Sequence, residues 1–241
     1  MLTIAHLTKT YGDKRAVDDL SISIARGEIC GFIGPNGAGK TTTIKAVCGI
    51  LDFDRGEISI DGKSLAREPI ACKKRLAYIP DNPDLYDFLS GIAYLNFIAD
   101  TYGVGTAERS ERVHSYAEQF ELTADLAQPI ATYSHGMKQK LALISAFLHR
   151  PQLLVLDEPF VGLDPKAARM VKDLMRELCA EGGAVFFSTH VLEVAEKLCD
   201  TVAIIQDGRL VAQGTMDEVR GDSSLETVFF ELAEPERAAD D

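Results

Sequence analysis

Eight consecutive residues match the pattern G-x-x-x-x-G-K-[ST]: Gly34, Pro35, Asn36, Gly37, Ala38, Gly39, Lys40 and Thr41. In such a loop the backbone N–H groups and the start of the next helix converge on phosphate oxygens. Lys40 is predicted to contact the outer phosphates. The Thr41 hydroxyl is also a candidate ligand of Mg²⁺, which takes oxygen ligands from protein and nucleotide alike. A Gly-rich turn would match by chance in roughly 1% of chains of this length, so the pattern predicts nucleotide binding.

A second candidate group is the carboxylate pair Asp157 and Glu158, which directly follows the apolar residues Leu153–Leu156. A strand of this kind delivers its next residues to the carboxyl edge of an α/β sheet, where ligands bind. Neighbouring strand residues point to opposite sides, so the two acids can have different roles. Asp157 is predicted to ligate Mg²⁺ and Glu158 to polarise the attacking water. A surface turn is the alternative, but it does not explain why the acids accompany a phosphate loop.

The absence of one sequence motif indicates which nucleotide the chain binds. A phosphate loop alone is compatible with a kinase, a GTPase or a transport ATPase. The asparagines are Asn36, Asn82 and Asn96, so the guanine-binding motif Asn-Lys-x-Asp does not occur. ATP is therefore predicted rather than GTP.

The elements that must position these residues follow from apolar periodicity. Strands are predicted at Leu2–Leu7, around Leu20–Ile24, at Glu28–Ile33, at Ile58–Ile60 before an Asp61-Gly62 hairpin turn, and at Leu153–Leu156, Ala184–Ser188, Val202–Gln206 and Arg209–Gln213. Helices are predicted at Lys40–Ile50, Pro165–Glu181 and Val191–Cys199, and the spacing is helical from Leu85 to about Arg150. Strands that alternate with helices predict a parallel sheet covered on both faces.

Composition excludes several classes of protein. The chain has 241 residues, 46% of them hydrophobic, with a net charge of −12, which disfavours nucleic acid as a partner. Its five cysteines are widely spaced, so we expect reduced, mostly buried thiols rather than disulfides or a zinc site. The sequence shows neither a membrane-spanning apolar stretch nor a signal peptide, which predicts a cytoplasmic location.

The segment Tyr133–Gln139, Tyr-Ser-His-Gly-Met-Lys-Gln, resembles the signature loop L-S-G-G-Q of the ATP-binding cassette (ABC) ATPases. It lies just upstream of Asp157-Glu158, as in that family. Tyr11 matches the aromatic residue that stacks on adenine, Gly162-Leu163-Asp164 matches the D-loop, and Ser188-Thr189-His190 matches the switch histidine. These motifs occur in the family's order over nearly the whole chain. The end of the signature resembles that of the bacterial ABC type 2 exporter branch.

The resemblance implies an α/β fold: a P-loop NTPase (RecA-like) core with a mixed sheet, a small antiparallel β subdomain and an inserted α-helical subdomain at about 85–150. Residues 1–220 would form the ATPase domain. Residues 221–241 would form a short acidic C-terminal extension, with a docked helix that includes Leu225 and Leu232 followed by a frayed end.

The resemblance also implies roles for individual residues. Glu158 and His190 would be catalytic, Asp164 would belong to the D-loop, and Ser134 and Gly136 would contact the nucleotide of a second subunit. ATP would be bound by Tyr11 and by Gly34 through Thr42, and the metal by Thr41, Asp81 and Asp157.

Three of these residues have ordinary structural alternatives. Tyr11 could be an edge aromatic, His190 a partly buried histidine with a satisfied partner, and Ser134 an N-cap alone. For Ser134 the two roles coincide, because a capped helix N-terminus presents hydrogen-bond donors and a positive dipole to a phosphate.

Three positions depart from the family pattern. His135 replaces the first glycine of the signature, and Met137 replaces its glutamine, whereas Ser134 and Gly136 remain. At the Q-loop, Tyr78-Ile79-Pro80-Asp81 has an aspartate where glutamine is usual. Asp81 retains an oxygen ligand but adds a charge and lacks an amide donor.

The resemblance predicts the ATPase subunit of a bacterial ABC exporter. Two chains, of the same or of different kinds, would bury two ATP molecules head to tail and drive separate polytopic membrane subunits. The chain would then be attached to the inner face of the cell membrane. The alternative is a soluble ABC-family ATPase for DNA maintenance or regulation, although the chain lacks the coiled coils or basic face of DNA-maintenance ATPases.

Overall fold

A computed structural model describes residues 1–233 of the chain. The strands are β1 Leu2–Tyr11, β2 Lys14–Ile24, β3 Ile29–Ile33, β4 Arg55–Ile60, β5 Lys63–Ser64, β6 Leu76–Ile79, β7 Leu153–Asp157, β8 Ala184–Thr189, β9 Thr201–Gln206 and β10 Arg209–Thr215. The α-helices are α1 Lys40–Val47, α2 Pro69–Lys73, α3 Gly91–Tyr102, α4 Thr106–Gln119, α5 His135–Phe147, α6 Pro165–Ala180, α7 Leu192–Leu198, α8 Met216–Arg220 and α9 Leu225–Ala233. The end of the acidic extension, where the sequence predicts fraying, lies outside the described residues.

A six-stranded sheet carries the site, with strand order β10-β9-β3-β8-β7-β6. Five strands are parallel, and β10 pairs antiparallel with β9. The prediction of a parallel sheet is therefore confirmed. The carboxyl ends of β3, β7 and β8 meet at one edge, so residues far apart in the sequence become neighbours there. Strand β6 was not predicted, because its four apolar residues between a charged segment and Pro80 are too few to define a period.

A second, antiparallel sheet has the order β2-β1-β4-β5. Its strands alternate apolar and polar residues, and the apolar set faces inward: Leu2 and Ile4 of β1 are buried opposite Ile24 and Ile22 of β2. The predicted hairpin after Ile60 joins β4 to β5. This sheet packs on the same side of the six-stranded sheet as α1.

Two apolar cores lie on opposite faces of the large sheet. One contains side chains from α1, the antiparallel sheet and alternate residues of the central strands. The other packs α3–α7 against the remaining strand residues, such as Leu154 and Leu156. The helical spacing predicted over 85–150 corresponds to α3, α4 and α5, with a single 3₁₀ turn at Ile130–Thr132. All five cysteines are buried with free thiols.

Candidate functional site

The phosphate loop joins β3 to α1 and folds only because small residues stand at its tight points. Gly39 has φ = 109°, and a Cβ there would lie 2.4 Å from the Ala16 carbonyl oxygen. A Cβ on Gly34 would lie 2.4 Å from the Ile205 carbonyl oxygen. Gly37 also has positive φ, 83°, but faces open space. The glycines therefore let the loop approach the neighbouring strands while it curls around a phosphate-sized space.

Lys40 is the first residue of α1, and its ammonium group lies across the loop. Nζ donates to the carbonyl oxygens of Gly34 at 2.6 Å and Pro35 at 3.1 Å. Burial lowers the pKa of Lys40, whereas the nearby Glu158 and Asp157 carboxylates act in the opposite direction. A bound anion would stabilise this charge, which is the role the sequence predicts.

Thr41 and Asp157, which are 116 residues apart in the chain, meet at the base of the loop. Thr41 Oγ1 donates to Asp157 Oδ2 at 2.8 Å, and Ser188 Oγ donates to Asp157 Oδ1 at 2.5 Å. The Asp157 carboxylate is buried and held from two sides. Ser188 was not among the predicted site residues, although a polar side chain within the apolar strand β8 is a signal that could have identified it.

Glu158 and His190 form the next layer of the site. His190 Nδ1 lies 3.0 Å from Glu158 Oε1, and the Glu158 backbone N–H donates to Ser188 Oγ at 3.0 Å. Glu158 has φ = 49°, a conformation that non-glycine residues seldom adopt. Strain of this kind persists only where the surroundings enforce it, and it concentrates at functional sites. The structure thus aims the carboxylate away from β7 and towards the histidine.

The phosphate loop, Asp157 and Glu158 border one cavity of about 230 Å³ at the edge of the large sheet, and His190 reaches it through Glu158. It is lined by Asn36, Gly37, Gly39, Lys40, Thr41, Asp81, Asp157 and Glu158. Asp81 thus reaches the same cavity as the other predicted metal ligands, and its Oδ1 accepts the Asn82 N–H at 2.8 Å. Pro35, Ala38 and Thr42 support the loop and α1 without lining the cavity.

Three further predicted residues, Tyr11, Ser134 and Gly136, do not line this cavity. Tyr11 is the last residue of β1, half exposed, with Lys9 Nζ 5.3 Å from its ring centroid. Ser134 caps α5, because its Oγ accepts the Met137 N–H at 3.3 Å. Gly136 lies in the first turn of the same helix. Ser134 and Gly136 lie at the start of α5, whereas the cavity lies at the start of α1, so the predicted site residues are divided between different elements of one chain.

The signature segment is joined to the D-loop. Asp164 caps α6 by accepting the Ala167 N–H at 2.8 Å, and its other oxygen lies 2.7 Å from Lys140 Nζ of α5. A Cβ on Gly136 would lie 2.9 Å from the Gly162 carbonyl oxygen. The hydrogen bond from Lys140 lowers the pKa of Asp164, which therefore stays ionised. The starts of α5 and α6 thus form one surface.

The residues around the cavity fit a nucleotide with a hard divalent cation. The Thr41 hydroxyl and the Asp157 and Asp81 carboxylates supply the oxygen ligands that Mg²⁺ prefers. The loop N–H groups and Lys40 match the negative charge of a phosphate chain.

Comparisons with known proteins agree with this geometry. Residues 17–161 match the ABC transporter family. The uncharacterised ABC transporter ATP-binding protein YhcH of Bacillus subtilis is 39% identical over 241 residues, which cover 99% of this chain and 77% of YhcH. The linearmycin resistance ATP-binding protein LnrL of the same organism is 34% identical over 219 residues, which cover 91% of this chain and 70% of LnrL.

A solved structure of an ATP-binding subunit of an ABC transporter has a TM-score of 0.92 and 38% identity. The match covers 96% of this chain and 99% of that chain. The predicted fold class, a P-loop NTPase core with a mixed sheet, an antiparallel β subdomain and an inserted helical subdomain, is confirmed. With the phosphate loop, the Asp157-Glu158 pair and these matches together, the chain belongs to the ABC transporter family as one of its ATP-binding proteins.

Proposed function

We propose that this chain hydrolyses ATP within a head-to-tail dimer and that hydrolysis drives transport through separate membrane subunits. The observation that carries the proposal is the contact between Glu158 and His190, 3.0 Å apart, beside the phosphate loop. A carboxylate oriented by an imidazole at the end of a phosphate-binding cavity is suited to activating water.

Different residues bind the phosphates, hold the metal and activate the water. Lys40 and the loop N–H groups hold the phosphate chain and offset its negative charge. Thr41, Asp157 and Asp81 would hold Mg²⁺, which neutralises charge on the phosphate oxygens when it is bound. Glu158 accepts a proton from the attacking water. His190 keeps the Glu158 carboxylate oriented and can donate to the terminal phosphate.

A second chain is needed because the signature lies apart from the cavity. Ser134 and Gly136 stand at the N-terminus of α5, next to Gly162 of the D-loop, and do not line the space around Lys40. Their donors and the helix dipole therefore have no phosphate to bind within their own chain. A partner that presents its phosphate loop to this surface completes a site, and two-fold symmetry then creates two.

The membrane partner and the direction of transport are inferred from the relatives. Among residues 1–233, no helix combines the length and apolar character required to cross a bilayer. We infer that polytopic membrane subunits provide the pathway and hold this chain at the inner face of the membrane. The name of LnrL, a resistance protein, favours export. The net charge of −12 argues against nucleic acid as the partner.

Replacing Glu158 by glutamine tests the proposal. An amide cannot accept the proton from water, so Glu158→Gln should bind ATP but hydrolyse it at least about 100-fold more slowly. The closed dimer should then accumulate. The measurements are steady-state ATPase activity and size-exclusion chromatography with saturating ATP and Mg²⁺.

The matched control is Glu57→Gln, which makes the same change at an exposed position of β4. It should retain wild-type turnover and dimerisation. A Glu158→Gln protein that hydrolyses ATP at the wild-type rate, or that stays monomeric with saturating ATP, contradicts the proposal.

A further inference from the structure

The Tyr78 hydroxyl is a buried polar group that the proposed mechanism does not use. Tyr78 lies on β6, one residue before the strand ends. Within residues 1–233 its oxygen is buried without a hydrogen-bond partner. Buried hydroxyls are nearly always paired, so the Tyr78 oxygen has a hydrogen bond to make beyond those within the chain.

The strand register places Tyr78 next to the metal ligand Asp157. Tyr78 pairs with Val155 of the parallel strand β7, and Asp157 lies two residues beyond Val155 on the same face. From the spacing of strands and residues, the backbones of Tyr78 and Asp157 are about 8 Å apart, a gap that an aromatic side chain can span. The Tyr78 ring packs in the core that contains Val155 and Cys48 of the segment after α1.

Carboxylates that line the cavity act electrostatically on the Tyr78 hydroxyl. Among the groups whose charge acts on it are the Asp157 and Asp81 carboxylates, both of which line the phosphate-loop cavity. Burial, followed by the charge of Asp157, raises the pKa of Tyr78. The phenol therefore keeps its proton and can act as a hydrogen-bond donor.

The hydrogen bonds of Asp157 leave its carboxylate able to accept another donor. In the structure its carboxylate accepts from Thr41 and from Ser188. A carboxylate has about four lone-pair sites, so these two hydrogen bonds leave room for a cation and for one further donor. Outer partners orient the ligands of a metal, and their loss commonly lowers metal affinity by about 10- to 100-fold.

We propose that Tyr78 is a positioning residue for Mg²⁺, whose hydroxyl donates through an ordered water to the Asp157 carboxylate when the cation is bound. The inference rests on the proposed function, because it takes Thr41 and Asp157 as metal ligands. It adds a residue from the edge strand β6, whose chain continues directly into the Asp81 loop.

Tyr78→Phe removes only the hydroxyl oxygen and keeps the ring. The measurement is calorimetric affinity for a non-hydrolysable ATP analogue, once with EDTA and once with saturating MgCl₂. The ratio of the two affinities reports how strongly the protein couples cation to nucleotide. Tyr78→Phe should lower this ratio by about 10-fold, the value for a weak outer partner. Its affinity in EDTA should remain that of the wild type.

Tyr102→Phe is the matched control, because Tyr102 is also a half-buried tyrosine near Cys48 but belongs to α3. It should keep the wild-type ratio. A Tyr78→Phe ratio equal to that of the wild type overturns the inference, and so does a change in unfolding temperature without a change in the ratio. If Tyr78→Phe does not fold, Tyr78→Met, with its flexible apolar side chain, provides the same comparison.

The outcomes also separate this inference from the proposed function. A wild-type protein whose affinity is the same in EDTA and MgCl₂ overturns the proposed metal site together with the role of Tyr78. A wild-type protein with strong coupling that Tyr78→Phe retains overturns the role of Tyr78 alone.

Discussion

The chemistry of this protein depends on a few side chains held by contacts that are distant in sequence. Asp157 is buried, yet both its oxygens accept hydrogen bonds, from Thr41 and Ser188. A buried carboxylate without such partners would be strongly disfavoured as an ion. Ser188 also receives the Glu158 N–H, so one hydroxyl supports both acids of the pair. The two neighbouring carboxylates thus reach different surroundings.

The predicted role of Tyr11 also depends on a single side chain, its exposed aromatic ring. If that ring stacks on adenine, Tyr11→Ala should weaken ATP binding by about 1–3 kcal/mol, while turnover at saturating ATP changes much less. Tyr11→Phe keeps the ring and should bind ATP like the wild type. Equilibrium titration with a fluorescent ATP analogue measures both. Unchanged affinity in Tyr11→Ala would return Tyr11 to the role of an edge aromatic that covers Lys9.

At the scale of elements, the site is built from the ends of strands and the starts of helices. The phosphate loop runs into the first turn of α1, the signature runs into the first turns of α5, and the D-loop ends where α6 begins. Ser134 and Asp164 each cap their helix with a side-chain oxygen, so the same residues that fix the helix starts also define the exposed surface. The Lys140 ion pair with Asp164 joins two of these starts.

The loop before α1 yields a prediction about stability. Gly39→Ala puts a Cβ at 2.4 Å from the Ala16 carbonyl oxygen, at φ = 109°. Backbone strain and overpacking add, so the free energy of unfolding should fall by about 2–4 kcal/mol, and ATP binding should be lost. Urea denaturation and nucleotide titration measure the two effects.

Gly62→Ala is the control, because Gly62 also has positive φ, 74°, but a Cβ there meets open space. The free energy of unfolding of Gly62→Ala should fall by about 1–2 kcal/mol, the strain of a left-handed alanine, and the variant should bind ATP normally. Equal destabilisation by the two substitutions would show that the contact with Ala16 is unimportant.

At the scale of the whole molecule, the signature residues Ser134 and Gly136 do not line the phosphate-loop cavity, and this separation predicts complementation between chains. Lys40→Ala damages the loop, and Ser134→Arg blocks the signature, so each homodimer should be inactive. A mixed dimer contains one site with an intact loop and an intact signature. Mixing should restore at most about a quarter of wild-type ATPase activity, since half of the dimers are mixed and each has one whole site.

The control mixture combines Lys40→Ala with Glu158→Gln. Both residues line the same cavity of one chain, so every site in the mixed dimer retains one lesion and no activity should return. If the first mixture shows no ATPase activity although mass spectrometry detects mixed dimers, a shared site is contradicted unless both sites must act together. A disulfide between cysteines placed at Ser134 and Gly37, formed only between chains, distinguishes these two explanations.

Residue types and spacing alone were enough to predict the nucleotide chemistry and the order of most elements. Eight residues of a phosphate loop and two acids after an apolar strand predict phosphate and metal binding, because such roles depend on local backbone form and residue type. Apolar periodicity predicted most strands and helices for the same reason. The domain boundaries at residues 85, 150 and 220 and the roles of the individual site residues stay predictions.

Which residues contact one another became visible only in the folded chain. The contact of Thr41 with Asp157, the support of both acids by Ser188 and the pairing of Tyr78 with Val155 depend on strand order and register, which periodicity does not encode. The short edge strand β6 and the separation of Ser134 from Lys40 have the same origin. Local pattern reports what a residue can do, whereas long-range packing of the sheet determines its neighbours, and catalysis depends on the neighbours.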